Sequence, residues 1–175
     1  WDIGLKGIAI TEHETIASHV KAIQTVRKLK EKGKIGQDFR LILGNEIYLV
    51  DSLEGVKDNY QSGVTKFPHY LLLAKNKEGH EALRILSSKA WENSFYTGTM
   101  ERVPTVKKDL EDIVKRFPNT LIATTACLGS ESSIYILEAH KAKLEGNHQK
   151  QQYNLKKLVD FIEWNINLHG KENFY

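Results

Sequence analysis

Gly7-Ile8-Ala9-Ile10-Thr11-Glu12-His13-Glu14 begins as a short apolar, β-branched run and ends in consecutive side chains able to hold a cation. Residues 7–11 carry the pattern of a buried strand, and the acidic cluster after them opens a helix. Ile16, Val20, Ile23, Val26 and Leu29 then recur every three or four residues. That spacing gives the helix one apolar face until Gly33 ends it. A strand running straight into an amphipathic helix is the repeating unit of α/β folds.

The unit repeats along the chain. Leu41–Val50 and Tyr70–Ala74 read as further strands, the latter followed by a helix from about Lys77 to Phe95. Pro104 to Arg116 reads as a helix, Pro118-Asn119 as a break and Thr120–Thr125 as a fourth strand. A helix from about Glu131 to the polar stretch near Gly146 follows. The last helix carries Leu155, Leu158, Val159, Ile162 and Ile166 on one face and ends near Gly170. Residues 51–68 and 96–104 read as surface loops. Near-continuous apolar strands between helices imply a parallel sheet covered on both faces, either an α/β barrel or an open doubly wound sheet.

Composition narrows the class. In 175 residues, 41% hydrophobic and 27% charged side chains are ordinary for a globular domain, which excludes a disordered chain. No apolar run approaches the roughly 18 residues that span a bilayer, and the start has no signal-peptide pattern. The net charge of +3 permits contact with nucleic acid without arguing for it. Cys127 is the single cysteine, so no internal disulfide forms, and a reducing, cytoplasmic setting is expected.

In parallel α/β folds the strand C-termini form the functional edge. Glu12, His13 and Glu14 lie there after the first strand, and Cys127 lies there after the fourth; Glu46 is in the middle of the second. His69 stands at the opposite, N-terminal side of the third strand. It reaches that edge only if the strand starts later or the loop folds over. Glu, His and Cys are competent ligands for zinc or a similar cation, although their long spacing makes no local motif. Each residue also has a plainer role. Cys127 after an apolar strand can be a small core residue, and Glu46 can pair with a lysine from a nearby loop. His13 can flank the helix, whose N-terminus Glu12 and Glu14 would favour electrostatically. His19, His80, His140, His148 and His169 read as surface or packing residues. There is no dinucleotide-binding glycine motif, no Walker-type loop and no nucleophile elbow.

The order of the pieces is more specific than any one of them. Gly7–His13 resembles the segment of the polymerase-and-histidinol-phosphatase (PHP) domain in which a strand ends in Thr-Asp-His. Leu43-Gly44-Asn45-Glu46-Ile47-Tyr48 resembles the later Gly-x-Glu strand of the polymerase branch of that family. Pro68–Asn76, with Glu78-Gly79, is similar to its His-x-x-Leu-Leu-Ala-x-Asn-x-x-Gly stretch. Ala126–Glu131 resembles its Cys-Leu-x-Gly-Glu turn, and Glu172–Tyr175 the approach to its next strand. The branch is the PHP domain of bacterial or phage-encoded DNA polymerase III alpha subunits.

The resemblance implies part of a distorted (β/α)7 barrel, its parallel strands covered by helices, around a cleft for divalent metals. By position, His13, Glu46, His69 and Cys127 match metal ligands, and Glu12 stands where the family has aspartate. The ions implied are Zn or Mn. The implied activity is a metal-dependent phosphoesterase or 3′–5′ exonuclease, or else a degenerate scaffold. Implied partners are DNA and replisome subunits, with no membrane. The family's opening His-x-His strand and later Asp-x-His motif are absent. Residues 1–175 are therefore expected to be a single incomplete PHP domain, inactive in isolation, within a longer polymerase chain. The competing expectations are a stand-alone phosphoesterase of the histidinol-phosphatase type and a purely structural protein-binding module.

Overall fold

A computed structural model describes residues 4–57 and 67–175. The strands are β1 (Gly7–His13), β2 (Arg40–Val50), β3 (His69–Ala74), β4 (Phe95–Thr97), β5 (Met100–Arg102), β6 (Pro104–Val106) and β7 (Leu121–Thr124). The helices are α1 (His19–Glu31), α2 (Lys77–Glu92), α3 (Lys107–Arg116), α4 (Glu131–Leu144) and α5 (His148–His169), with a 3-10 turn at Lys171–Asn173. Strand order in the main sheet is β1-β2-β3-β7, and β4 with β5 forms a separate hairpin. Tyr48 pairs with His69 of β3 and with Pro104 of β6, so β6 continues the edge of β2 that β1 occupies further back.

The sheet is mixed. β1 and β6 run parallel to β2, whereas β3 runs antiparallel to both β2 and β7. The expectation of wholly parallel strands is corrected at β3. An apolar strand reads the same in either direction, so periodicity carries no information about polarity. Backbone approach is close across these strands. A side chain at Gly44 would place its first carbon 2.6 Å from the Leu72 carbonyl oxygen, which explains a glycine in mid-strand.

The helices gather on one face. Ile47, Leu49, Tyr70, Leu72, Leu121 and Ala123 point there and pack against Ala82, Leu83 and Leu86 of α2, Leu110, Ile113 and Val114 of α3, and Phe161 of α5. Burial of this kind contributes about 25 cal/mol per Å² of apolar surface. Ile23 and Val26 of α1 reach Leu41 and Leu43, which share that face by alternation. On the opposite face a smaller cluster joins Tyr48, Val50, Val56 and Phe67 to Phe95 and Val106. Ile42 remains 40% exposed there. Among the described residues, the expected double-sided helix cover is thus replaced by a cover on one side.

Three element readings also shift. Pro104–Val106 is a strand, with the helix starting at Lys107; proline is tolerated as the first residue of a strand, where its missing N–H leaves no ladder bond unmade. Most of the expected loop at 96–104 is the β4–β5 hairpin. Half of the expected loop at 51–68, residues 58–66, lies outside the described residues. On α5 the buried side chains are Asn154, Phe161, Asn165 and His169, while Leu155, Val159, Ile162 and Ile166 face outward.

Candidate metal centre

Parallel pairing sets His13 directly beside Glu46, and antiparallel pairing sets Tyr48 beside His69. Because β3 runs backwards, its first residue lies at the functional edge without any late start or folded-over loop. His13, Glu46 and His69 therefore share the face away from the helices. Glu46 Oε2 is 3.3 Å from His13 Nε2, and Glu46 Oε1 is 2.7 Å from His69 Nδ1. One ligand atom from each of these residues lies within 4.8 Å of the others.

Cys127 comes to the same place from the loop after β7. Ala126 adopts a left-handed φ of 56°, and the His69 amide donates to the Gly129 carbonyl at 3.1 Å. The thiol Sγ lies 3.3 Å from His69 Nδ1. Cys127 is exposed, not a core residue, and Glu46 pairs with histidines instead of a loop lysine. Ser130 then caps α4 by accepting from the Ser133 amide at 3.2 Å, which fixes the loop on its far side.

Glu12 goes elsewhere. Successive strand residues point to opposite faces, so Glu12 shares the helix side with Asn45 while His13 shares the open side with Glu46. Its Oε1 accepts from the Ser18 amide at 3.2 Å, at the start of α1. Its Oε2 is buried without a hydrogen-bond partner, 3.7 Å from His19 Nε2. His19 is a packing residue: Nε2 contacts the Gly44 carbonyl at 2.9 Å and Nδ1 contacts His80 Nε2 at 3.2 Å.

Tyr48 and Arg102, which no sequence signal marks as site residues, border this centre together with Glu14. The Tyr48 ring lies 5.1 Å from that of His69 and 6.4 Å from that of His13. The Arg102 guanidinium stands 5.6 Å from the Tyr48 ring centre, and its Nη1 donates to Tyr48 Oη at 3.3 Å. Glu14 holds a left-handed φ of 59°, a conformation that costs energy for a residue with a side chain. Its amide donates to the Glu46 carbonyl at 2.8 Å, and its Oε1 accepts from the Val103 amide at 2.9 Å. Burial pushes the Glu14 carboxyl above its ordinary range, opposed by the Val103 N–H and by the charges of Arg102, His13 and His69. Glu14 had read as a helix-start carboxylate and Arg102 as a loop residue, and neither carried a periodic signal.

Two imidazoles, a carboxylate and an adjacent thiol are the donor set of a zinc-like or mixed N/O divalent site. The separations of His13, Glu46 and His69 suit one ion, and the Cys127 thiol adjoins His69. The fold is thus a mixed α/β sheet whose functional edge gathers His13, Glu46 and His69, a group able to hold a metal ion. The chain matches the PHP domain family over residues 2–175 and belongs to that family. It is 58% identical over 170 residues to a probable DNA polymerase, YorL, of Bacillus subtilis and to a DNA-directed DNA polymerase of Bacillus phage SPbeta. It is 31% identical over 136 residues, 77% of the chain, to a DNA polymerase III subunit alpha of Helicobacter pylori. The match covers 97% of this chain and 13% of each Bacillus-related relative, and 10% of the Helicobacter one. No helix among the described residues is long and apolar enough to cross a membrane.

Proposed function

We propose that these residues form the PHP segment of a longer replicative DNA polymerase of the polymerase III alpha kind, working on DNA with other replisome subunits in the cytoplasm. In this reading His13, Glu46, His69 and Cys127 hold a divalent metal, Zn²⁺ or Mn²⁺, for hydrolysis of a phosphoester such as the 3′ end of DNA. The observation that carries it is the convergence of His13, Glu46 and His69 within 4.8 Å. The resemblance to polymerases favours this over a stand-alone histidinol-phosphatase type. The bare sheet face supports the view that further strands of the same polypeptide complete a distorted (β/α)7 barrel around the site. When bound, the ion supplies an acidified water and neutralises charge on the phosphate. The residues of this chain orient it: Glu46 spans both imidazoles, and the Gly129 carbonyl fixes the start of β3.

A second reading, a scaffold with a vestigial cleft, is favoured by Glu12. Its carboxylate is committed to the start of α1 and is one methylene longer than the family's aspartate. Elemental analysis of the full-length polypeptide separates the two. Near-stoichiometric Zn or Mn, with metal-dependent cleavage of a model phosphodiester that His13→Ala abolishes, is the expected result. A metal-free, inactive full-length protein leaves the scaffold reading standing and removes the first.

A further inference from the structure

We propose that Arg102 is the phosphate-recognising residue of this centre, a positioning group that holds the non-bridging oxygens of the substrate beside the metal ligands. The inference rests on the phosphoesterase reading above and names how that site would take hold of its anion.

Separate features bring Arg102 to the centre. By register, Tyr48 lies between His69 on β3 and Pro104 on β6, and Arg102 precedes that proline by two residues. By contact, the guanidinium covers the Tyr48 ring and donates to its hydroxyl, and the same ring faces both His69 and His13. By tether, the Val103 amide is bound to Glu14, whose own amide is bound to the Glu46 carbonyl. Arg102 is thus fixed through backbone to the strands that carry the ligands.

A guanidinium suits this task for a chemical reason. It stays charged at every working pH and presents a planar fork of donors that matches two phosphate oxygens. A bound divalent ion would face one side of a phosphoester, and a fixed cation at the rim would face another, which is the general arrangement for stabilising charge on a transferring phosphoryl group. The plainer role is that Arg102 offsets Glu14 and packs on Tyr48. That role predicts loss of stability on substitution without selective loss of anion binding, and this is where the two part.

The test uses Arg102→Gln and Arg102→Lys in the full-length polypeptide with Mn²⁺, assaying a model phosphodiester with orthophosphate as competitive inhibitor. Arg102→Gln is expected to raise KM and the orthophosphate inhibition constant about tenfold or more, the scale of a charge-assisted hydrogen bond. Mn²⁺ affinity and the melting temperature should stay near wild type, and Arg102→Lys should fall between, since it keeps charge but not the fork. Unchanged KM and inhibition constant in Arg102→Gln overturn the proposal. So does a loss matched by an equal fall in Mn²⁺ affinity or stability. A wild type that hydrolyses nothing removes the phosphoesterase reading alone. Arg102 is then judged by orthophosphate titration of the 175-residue chain, followed on the ring protons of His13 and His69. A shift weakened by Arg102→Gln keeps the proposal, and no shift, or an equal one, ends it.

Discussion

Tyr70, Asn165 and His169 form a buried polar group inside an otherwise apolar core. The Tyr70 hydroxyl donates to Asn165 Oδ1 at 2.5 Å and lies 3.0 Å from His169 Nε2, which donates to it in the neutral ring. Asn165 in turn donates to the Phe161 carbonyl at 2.8 Å. Tyr70→Phe should therefore leave Asn165 and His169 short of a partner and cost about 1–3 kcal/mol in urea unfolding. A loss near zero would show that water or rotation replaces the hydroxyl. The same group gives a pH dependence. Burial lowers the His169 pKa from 6.5 to about 4. The unfolded chain takes up that proton as pH falls through 6.5, whereas the folded chain resists until about 4. The contribution is whole above the unfolded value and is lost between the two, reaching about 3 kcal/mol at the lower end. Urea midpoints at pH 7 and 4.5 should differ less for His169→Gln than for the wild type. An equal difference would place the acid sensitivity elsewhere.

Elements were legible where one face alone had to be buried, and illegible where direction or neighbours decided. The β1–α1 unit and the α2 start at Asn76, whose side chain accepts from the Gly79 amide at 2.9 Å, follow from local pattern. The polarity of β3 does not, because Tyr70-Leu71-Leu72-Leu73 is equally apolar read either way. α5 shows the same limit. Its apolar periodicity marks Leu155, Val159, Ile162 and Ile166, yet the helix turns Phe161, Asn154, Asn165 and His169 inward, since Tyr70 supplies partners for the last two. A consequence is testable by urea unfolding of single variants. Val159→Lys, on the outward stripe, should change stability by no more than about 0.5 kcal/mol. Phe161→Ala, two residues on, should cost about 3–5 kcal/mol because it empties a packed site. Comparable losses at both positions would mean that the outward stripe is covered in solution.

At the scale of the molecule, the site was legible as a set of residue types and not as a geometry. Motif order singles out His13, Glu46, His69 and Cys127, but the approach of the first three depends on the reversed β3, and Cys127 reaches His69 after a left-handed turn at Ala126. Glu12 was named with them, and strand alternation sends it to the other face. The strands described leave the ligand face open, and the His13 side chain is 58% exposed. Water therefore competes for the ligand atoms, and each ligand has to be fixed and deprotonated at an open face. The 175-residue chain on its own should accordingly bind Mn²⁺ weakly and hydrolyse no model phosphodiester. With a dissociation constant on the order of 1 mM, adding about 1 mM Mn²⁺ stabilises by roughly 0.4 kcal/mol, a rise of about 1–2 °C in melting temperature. That small rise should vanish in His13→Ala. A rise above about 10 °C that the same substitution removes would show that these residues already make a tight site, with no need of strands from elsewhere in the polypeptide.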